Sequence, residues 1–245
     1  MLSIVICGTG RMGTLIDRTA REMRDGAGEP LFEVGFEVKE LETAPAAEII
    51  IDFSNVAALD AVAGYVRRTG AALVSGTTGY SDEQLAVLRE LGSTAPVVWS
   101  GNYSIGIAAL RHLVAQATRE LPGFDIEIVE THHNKKADAP SGTATMLLDE
   151  VRAAKAELGA GSVKPVYGRE GLCGARDTQE VGIHALRGGT VAGVHTVSFF
   201  GPSEEVSLTH RAESREIFVN GALAAARKLV VRDKGFYTFD EVMFG

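Results

Sequence analysis

The sequence has little of what marks secreted, membrane-spanning or nucleic-acid-binding proteins. Its 245 residues include only two cysteines, Cys7 and Cys173, so neither a disulfide framework nor a cysteine-rich zinc site is expected. No apolar run approaches the roughly 20 residues of a membrane span, and the N-terminus lacks the features of a signal peptide. The net charge of −8 argues against a broad basic surface for nucleic acid. These absences predict a cytoplasmic protein without nucleic-acid or membrane partners.

Short apolar runs alternate with helical patterns over the first hundred residues. Five such runs occupy residues 2–7, 32–38, 48–54, 71–76 and 96–101. Their length and apolar character are typical of strands buried on both faces. After the first run, Met12, Ile16 and Met23 recur at helical spacing. Strands that alternate with helices predict right-handed βαβ units and a Rossmann-like parallel sheet.

The pattern changes after a helix predicted at residues 104–120. A strand at 125–130, a polar loop and a helix at 144–158 are followed by three strand-like runs of antiparallel character, at 180–187, 194–201 and 205–213. A last helix, at 214–232, is expected to return to the first domain. We therefore predict an α/β chain with a dinucleotide-binding domain at 1–103 and 216–245. A smaller α+β domain with a mixed sheet, at 104–215, would bind the substrate.

A glycine-rich sequence, Gly8-Thr9-Gly10-Arg11-Met12-Gly13, joins the first predicted strand to the first predicted helix. In this position GxGxxG is typical of dinucleotide-binding loops. Gly8 allows the tight turn, Gly10 lets the backbone approach a pyrophosphate, and Gly13 lets helix and strand pack closely. The start of the helix supplies N–H donors for phosphate. A nucleotide site is favoured here over a glycine-rich turn without a ligand.

The predicted cofactor site extends along the carboxyl ends of further strands, where ligands bind in open α/β sheets. The second strand ends at Glu37-Val38-Lys39-Glu40, where an acid would select NAD and Lys39 would favour the 2′-phosphate of NADP. The residues alone leave this choice open. The fourth and fifth strands end at Gly76-Thr77-Thr78-Gly79 and Ser100-Gly101-Asn102-Tyr103. Both segments could contact the nicotinamide half of a cofactor, although ordinary turns there would need no ligand.

The loop THHNKKADAPSGTA, residues 131–144, gathers many titratable groups. Its Pro-Ser-Gly-Thr segment should open the next helix and present the N–H groups of Gly142 and Thr143 to an anion. His133 and Lys136 would add positive charge, which describes a carboxylate pocket.

His132 is the candidate proton donor of this loop, because histidine suits acid–base chemistry near neutral pH. Adjacent histidines at a strand end point to opposite sides, so His132 and His133 would not serve one site through regular strand geometry. No other metal-ligand spacing accompanies the pair. A metal site and a plain solvated basic loop are therefore the weaker alternatives, and Asp138 would be an orienting acid.

Residues 130–144, ETHHNKKADAPSGTA, closely resemble the signature E-x-H-H-x-x-K-x-D-A-P-S-G-T-A of the 4-hydroxy-tetrahydrodipicolinate (dihydrodipicolinate) reductases of bacterial lysine biosynthesis. Every fixed position matches. The resemblance spans nearly the whole chain, with further matches at residues 10–13, 52–54, 76–79, 102–106, 168–171, 194–196 and 220–222.

The resemblance implies NAD(P)H-dependent reduction of a cyclic dicarboxylate, without a metal, in lysine and diaminopimelate biosynthesis. His132 would be the catalytic acid/base and Lys136 the second proton donor. The substrate carboxylates would be bound by His133, Lys136, Gly142 and Thr143. NADPH or NADH would be contacted by Gly8 to Gly13, Lys39, Gly76 to Thr78 and Ser100 to Tyr103. Family members are typically homotetramers built through the second domain, so that domain would also form the oligomer.

Three features depart from the family pattern. The glycine loop is one residue shorter than in many members, and the connection from Lys39 to Glu48 is brief. Lys39 stands at the position that best matches the family's cofactor-selecting acid, and a lysine there favours NADPH or dual use.

Three rival classes of protein are an amino-acid or amine dehydrogenase, a nucleotide sensor without catalysis, and a metal-dependent hydrolase that uses His132 and His133.

Overall fold

The computed structural model describes residues 1–37 and 41–245, which fall into two compact units. One unit consists of Met1–Ile105 together with Glu216–Gly245, and the other consists of Gly106–Arg215. Lys39, the predicted cofactor-selecting residue, lies outside the described residues.

The described part of the chain alternates strands and helices up to residue 120 and is richer in strands thereafter. In chain order, the strands are β1 (Leu2–Cys7), β2 (Phe32–Glu37), β3 (Ile49–Asp52), β4 (Ala72–Ser75), β5 (Pro96–Trp99), β6 (Asp125–His132), β7 (Lys164–Val166), β8 (Glu180–Arg187), β9 (Gly193–Gly201), β10 (Glu204–Ala212) and β11 (Gly235–Tyr237). The helices are α1 (Arg11–Glu22), α2 (Leu59–Thr69), α3 (Asp82–Leu91), α4 (Ile105–Glu120), α5 (Gly142–Glu157), α6 (Glu216–Leu229) and α7 (Phe239–Phe244). None of these helices has the length and apolar content that crossing a bilayer requires.

The first unit is built on a six-stranded sheet in the order β2-β1-β3-β4-β5-β11, with every pair parallel. All four residues of β3 and of β4 are buried, as expected for strands covered on both faces. Helices α2 and α3 pack on one face against Ile50, Leu73 and Val97, while α1 and α6 contact the strands as well. The predicted Rossmann-like parallel sheet is confirmed.

Local sequence signals explain where α3 begins and where α2 ends. Ser81 caps α3: its hydroxyl accepts the N–H of Gln84, and the Gln84 side chain accepts the N–H of Ser81. Gly70 ends α2 in a left-handed conformation that suits glycine. The last predicted helix is observed as α6, within the first unit.

The second unit contains a five-stranded mixed sheet in the order β10-β9-β6-β8-β7. Strands β6, β9 and β10 are antiparallel neighbours, whereas β8 runs parallel to both β6 and β7. The mixed sheet is therefore confirmed, but the antiparallel character expected of residues 180–187 is wrong. Helix α5 precedes all three late runs and carries the chain back across the sheet, which permits the parallel pairing.

One face of this second sheet forms a compact core. Ile126 and Ile128 of β6, Val197 and Phe199 of β9 and the apolar sides of α4 and α5 belong to one buried cluster. Strand alternation puts Glu130 and His132 on the same face as Ile126 and Ile128. Polar side chains thus continue the apolar face of β6 toward its carboxyl end.

Candidate active site

The glycine loop between β1 and α1 has two positions that only glycine can occupy. Gly8 has φ of +125°, and a Cβ there would lie 2.5 Å from the Phe53 carbonyl oxygen. A Cβ on Gly13 would lie 1.7 Å from the carbonyl oxygen of Gly8. Gly10 caps α1 and has open space around it. The loop therefore leaves the exposed Thr9, Gly10 and Arg11 at a helix N-terminus, an arrangement that fits a pyrophosphate.

A cavity of about 400 Å³ lies beside this loop. It is lined by Met12 from the start of α1, by Phe53, Ser54, Asn55 and Val56 after β3, and by Gly76, Thr77, Thr78 and Gly79 after β4. The structure thus brings two of the predicted cofactor segments together at the carboxyl ends of neighbouring parallel strands. A flat, partly polar ligand such as a nicotinamide cofactor fits this position in an α/β sheet.

Asp52, which the sequence reasoning did not single out as a site residue, organises the walls of that cavity. It is fully buried at the end of β3. Its carboxylate accepts hydrogen bonds from the Ser54 backbone and hydroxyl, from Ser75 at 3.1 Å, from Thr77 at 2.9 Å and from Tyr80 at 3.3 Å. The Thr77 hydroxyl is therefore directed to Asp52, and cofactor contact by Thr77 would involve its backbone.

The segment after β5 is held by hydrogen bonds of its own and by the core. The Ser100 hydroxyl and the backbone of Asn102 bond to each other in a tight turn, with Gly101 exposed. Tyr103 is 1% exposed, and its hydroxyl donates to the Ser75 carbonyl oxygen at 2.8 Å. Its side chain is part of the core, so the ring and hydroxyl are not available to a cofactor. The predicted cofactor contact of Tyr103 would therefore involve its backbone.

In the second unit, β6 continues two residues further than predicted and ends at His132. The His132 Nδ1 atom lies 2.5 Å from a carboxylate oxygen of Glu130, two residues earlier on the same face. Glu130 is fully buried. Arg187 of β8 binds both of its oxygens, at 2.8 and 2.9 Å. His132 is thus held by an ion-paired carboxylate inside the sheet.

The same carboxylate reaches the start of α5. The backbone N–H of Ser141 donates to Glu130 at 3.1 Å. Ser141 is the N-cap of α5, and its hydroxyl accepts the N–H of Ala144. That hydroxyl also lies 3.0 Å from Nε2 of the buried His195. The predicted helix start at Gly142 and Thr143 is therefore tied to the strand that carries His132.

His133 and Lys136 lie in the loop beyond β6. The two histidines alternate as expected: His132 shares the face of Glu130, while His133 Nδ1 accepts the N–H of Lys135 at 3.2 Å. The Lys136 ammonium binds both oxygens of Asp138 at 2.8 Å. Asp138 is 63% exposed, so this pair is open to exchange with another carboxylate.

The pKa values of Glu130 and His195 are both lowered at the site, for different reasons. Burial alone would raise the pKa of Glu130, but hydrogen bonds from Arg187 and His132 outweigh burial, and the pKa is lowered. Burial, with the nearby His132 as the next cause, lowers the pKa of His195 to about 4. Glu130 is therefore an anion and His195 a neutral ring near neutral pH. Among the described residues, no group of three or more His, Cys, Asp or Glu side chains could hold a metal ion.

Sequence reasoning missed four residues that hold these sites together: Asp52, Glu130, Arg187 and His195. Glu130 and His195 stand within the motifs at 130–144 and 194–196, yet a motif does not assign roles. One signal was present for Glu130, since a carboxylate two residues before a strand histidine shares its face. Arg187 is 57 residues from Glu130 in sequence, and only the parallel β6–β8 pairing brings them together.

Comparisons with known proteins agree with this structure. The family description "Dihydrodipicolinate reductase, N-terminus" matches residues 2–103, and "Dihydrodipicolinate reductase, C-terminus" matches residues 106–243. A 4-hydroxy-tetrahydrodipicolinate reductase of Caldanaerobacter subterraneus is 38% identical, with 99% of this chain and 98% of that protein covered. One of Staphylococcus aureus is 39% identical, with 98% and 100% covered.

A solved structure shows the same fold. The dipicolinate-bound dihydrodipicolinate reductase of Paenisporosarcina sp. TG-14 superimposes with a TM-score of 0.77 over 99% of this chain and all of that one, at 22% identity. The fold and the site define an α/β oxidoreductase that uses a nicotinamide cofactor. The chain belongs to the dihydrodipicolinate reductase family. The predictions of family, fold class and reductase function are confirmed, and the rival classes of sensor and metal-dependent hydrolase are not supported.

Proposed function

We propose that this chain reduces 4-hydroxy-tetrahydrodipicolinate to tetrahydrodipicolinate with NADPH or NADH, using His132 as its acid. The observation that carries the roles is the placement of His132, whose Nδ1 is bound to the buried Glu130. With Nδ1 occupied, Nε2 is the ring atom that can deliver a proton to a substrate. Acid catalysis of this kind contributes about 10²- to 10⁴-fold to turnover.

The substrate carboxylates would bind beside this histidine. Gly142 and Thr143 form the first turn of α5, where the helix dipole favours an anion. His133 and Lys136 add positive charge from the preceding loop. Lys136 would exchange its exposed partner Asp138 for a substrate carboxylate and act as second proton donor, stabilising charge that develops on the ring.

The cofactor would bind the predicted dinucleotide-binding domain, residues 1–103 and 216–245, and supply the hydride when bound. The backbone of Gly8 to Gly13 would hold its pyrophosphate, and the segments Gly76 to Thr78 and Ser100 to Tyr103 would hold its nicotinamide half. Lys39 follows β2 and would pair with a 2′-phosphate, so NADPH is the preferred or an equal cofactor. Lys39→Glu should then lower kcat/KM for NADPH by about 10-fold or more and spare NADH.

The predicted second domain, residues 104–215, would bind the substrate and form a homotetramer. Strand alternation places Leu186 and Phe200 on the face of its sheet opposite to α4 and α5, and they are 49% and 41% exposed. Large exposed apolar side chains on a sheet face suit burial between subunits. Light scattering on the purified chain would show a tetramer, and Phe200→Glu would reduce it to smaller species.

The decisive assay follows oxidation of NADPH and NADH by absorbance, with substrate made in place from pyruvate and aspartate semialdehyde by the preceding synthase. The expected result is oxidation that depends on the synthase product and survives a chelator. His132→Gln should lower kcat by at least about 10²-fold while cofactor affinity stays within twofold. His112→Gln is the matched control, because His112 is exposed on α4.

Two results would contradict the proposal. Folded protein that binds NADPH but does not oxidise it when the synthase product is supplied would exclude this substrate. Full turnover in His132→Gln would remove His132 from the mechanism and leave the reductase assignment intact.

A further inference from the structure

One buried carboxylate contacts both functional parts of the second unit. Glu130 Oε2 lies 2.5 Å from His132 Nδ1, and Glu130 Oε1 accepts the N–H of Ser141 at 3.1 Å. The first contact holds the proposed acid, and the second holds the N-cap of the helix whose first turn is Gly142 and Thr143. A shift of Glu130 would therefore move the acid and the carboxylate pocket together.

Arg187 keeps this carboxylate in place. Its guanidinium bonds both Glu130 oxygens and also donates to the Asp138 carbonyl oxygen at 2.7 Å. Asp138 follows Lys136 by two residues, so the same arginine restrains the loop that carries the proposed second donor. The bidentate pair offsets the cost of burying a carboxylate that is 0% exposed.

The hydrogen bond to Glu130 has a chemical consequence for His132. An ionised carboxylate only accepts hydrogen bonds, so the ring proton stands on Nδ1 when His132 is neutral. A proton gained in turnover must then lie on Nε2, the nitrogen that faces away from Glu130. Without Glu130 the neutral ring is free to adopt the other tautomer, which has its proton on the wrong side for this exchange.

We propose that Glu130 is a positioning residue, which fixes the tautomer of His132 and the start of α5, with Arg187 as its charge partner. This inference rests on the proposed function for its kinetic consequences. Its structural content, a tautomer set by one carboxylate, does not depend on the identity of the substrate.

Glu130 on β6 bonds His132 Nδ1, and the His195 ring on β9 lies with its centroid 5.1 Å from that of His132. Arg187 on β8 bonds Glu130 rather than His132, and Lys136 lies in the loop that follows β6. Glu130 is the anion among these groups, so Glu130→Gln removes the negative charge that lies against the His132 ring. In Glu130→Gln, the pH at which kcat/KM falls to half on the alkaline side should move to a lower value. Turnover should fall by about 10²-fold, because a misplaced tautomer is costly in acid–base catalysis.

The chain offers a matched control on the same strand. Glu127 is also paired with arginines and a histidine, through Arg169, Arg176 and His184. Strand alternation places it on the opposite face of β6. Glu127→Gln should leave the pH profile and the His132 tautomer unchanged, whatever it does to stability.

A double variant distinguishes two roles of Glu130: positioning of His132, or only stabilising the fold through its ion pair with Arg187. In Glu130→Gln with Arg187→Gln, no buried charge is left without its partner, so the fold should be retained. If the pair only stabilises the fold, this variant should recover both melting temperature and turnover. If Glu130 positions His132, melting temperature recovers while turnover stays low.

The direct readout is the imidazole ¹⁵N spectrum of the full chain labelled at histidine, with His132 assigned by the missing signals of His132→Gln. We expect Nδ1 to be protonated in the neutral ring of the wild type and a shift toward protonated Nε2 in Glu130→Gln. An unchanged tautomer, or a turnover within twofold of wild type in either Glu130 variant, would overturn the proposal. Wild-type protein that shows the Nδ1 tautomer but no reductase activity would reject the proposed function alone.

Discussion

The Nε2 atom of His132 lies 3.1 Å from the position that a Cβ atom would occupy at Gly193. Gly193 is the first residue of β9, directly beside the strand that ends in His132. The missing side chain leaves room next to the ring nitrogen that faces away from Glu130. This relation gives Gly193 a role beyond its place at the start of β9.

Gly193→Ala should therefore disturb catalysis more than folding. The added methyl would push the His132 ring by a few tenths of an ångström, and we expect kcat to fall by about 10-fold, since small misplacements of a reacting group are costly. Gly188→Ala is the control, because a Cβ there meets nothing within 4 Å. Equal kcat in both variants and the wild type would show that the ring has room to adjust.

Asp52 should control how well the first unit binds its cofactor. Ser54 bonds one oxygen of Asp52, and Ser75 and Thr77 bond the other. Asp52→Asn replaces one of these two acceptors with an NH2 donor, so buried hydroxyls lose a partner at a cost of about 1–3 kcal/mol in stability. The walls of the cavity should loosen and NADPH affinity should fall.

Trp99 provides the measurement for Asp52→Asn. It is the single tryptophan of the chain, and its Nε1 donates to the Thr77 carbonyl oxygen at 2.9 Å. A titration with NADPH followed by Trp99 fluorescence would give the affinity directly. The exposed Asp60→Asn on α2 should behave like the wild type. Unchanged affinity in Asp52→Asn would show that the cavity walls do not need this carboxylate.

The two cysteines should differ sharply in reactivity. Burial, followed by the charge of Asp52, raises the pKa of Cys7 to about 11. At pH 8 only about 0.1% of that thiol would be ionised, whereas Cys173 is exposed. Alkylation of the native protein should label Cys173 alone, as mass spectrometry would show. Labelling of native Cys7 at a comparable rate would mean that the end of β1 opens readily.

Sequence patterns predicted the parts of the fold that rest on long periodic or apolar runs. Buried strands such as β1 and β3, and the GxGxxG loop, have strong local signals. The short β11, which completes the parallel sheet beside β5, was not predicted. A strand of three residues is too short to show a periodic pattern, and β11 forms only because it pairs with β5, which is far away in sequence.

The residues of the candidate site likewise fall into those that the sequence could predict and those that it could not. His132, Lys136 and the start of α5 could be named from residue types and spacing, because one short segment contains them. The buried partners could not, since Glu130 meets Arg187, and Ser141 meets His195, only through the pairing of β6 with β8 and β9. The direction of β8 is likewise a property of the assembled sheet.

Lys136 and Asp138 should have opposite effects on substrate binding. Lys136→Met should raise KM and lower kcat, because a carboxylate contact and a proton donor are lost. Asp138→Asn removes the partner with which a substrate carboxylate competes. An exposed pair of this kind is worth at most about 1 kcal/mol, so KM should fall by no more than about fivefold. A higher KM in Asp138→Asn would assign Asp138 to the substrate site.

His195 should make the folded protein less stable in mild acid. Its pKa is about 4 in the folded chain against an ordinary value of 6.5, because burial disfavours the charged ring, and His132 and His210 act in the same direction. The unfolded chain therefore binds a proton below pH 6.5 that the folded chain does not bind until about pH 4. The contribution of neutral His195 to the free energy of unfolding is fully present above pH 6.5. It is lost as the pH falls from 6.5 to about 4, by about 1.4 kcal/mol per pH unit.

Urea unfolding at pH 7, 6 and 5, at one protein concentration, would test this sign. The free energy of unfolding of the wild type should fall with pH more steeply than that of His195→Gln, which has no ring to protonate. His210, whose pKa burial also lowers, titrates in both proteins and cancels from the difference. The lowered pKa of Glu130 affects stability only below its ordinary value, outside the range tested. Parallel pH dependences would mean that His195 becomes charged in the folded chain, and that Ser141 does not hold it neutral.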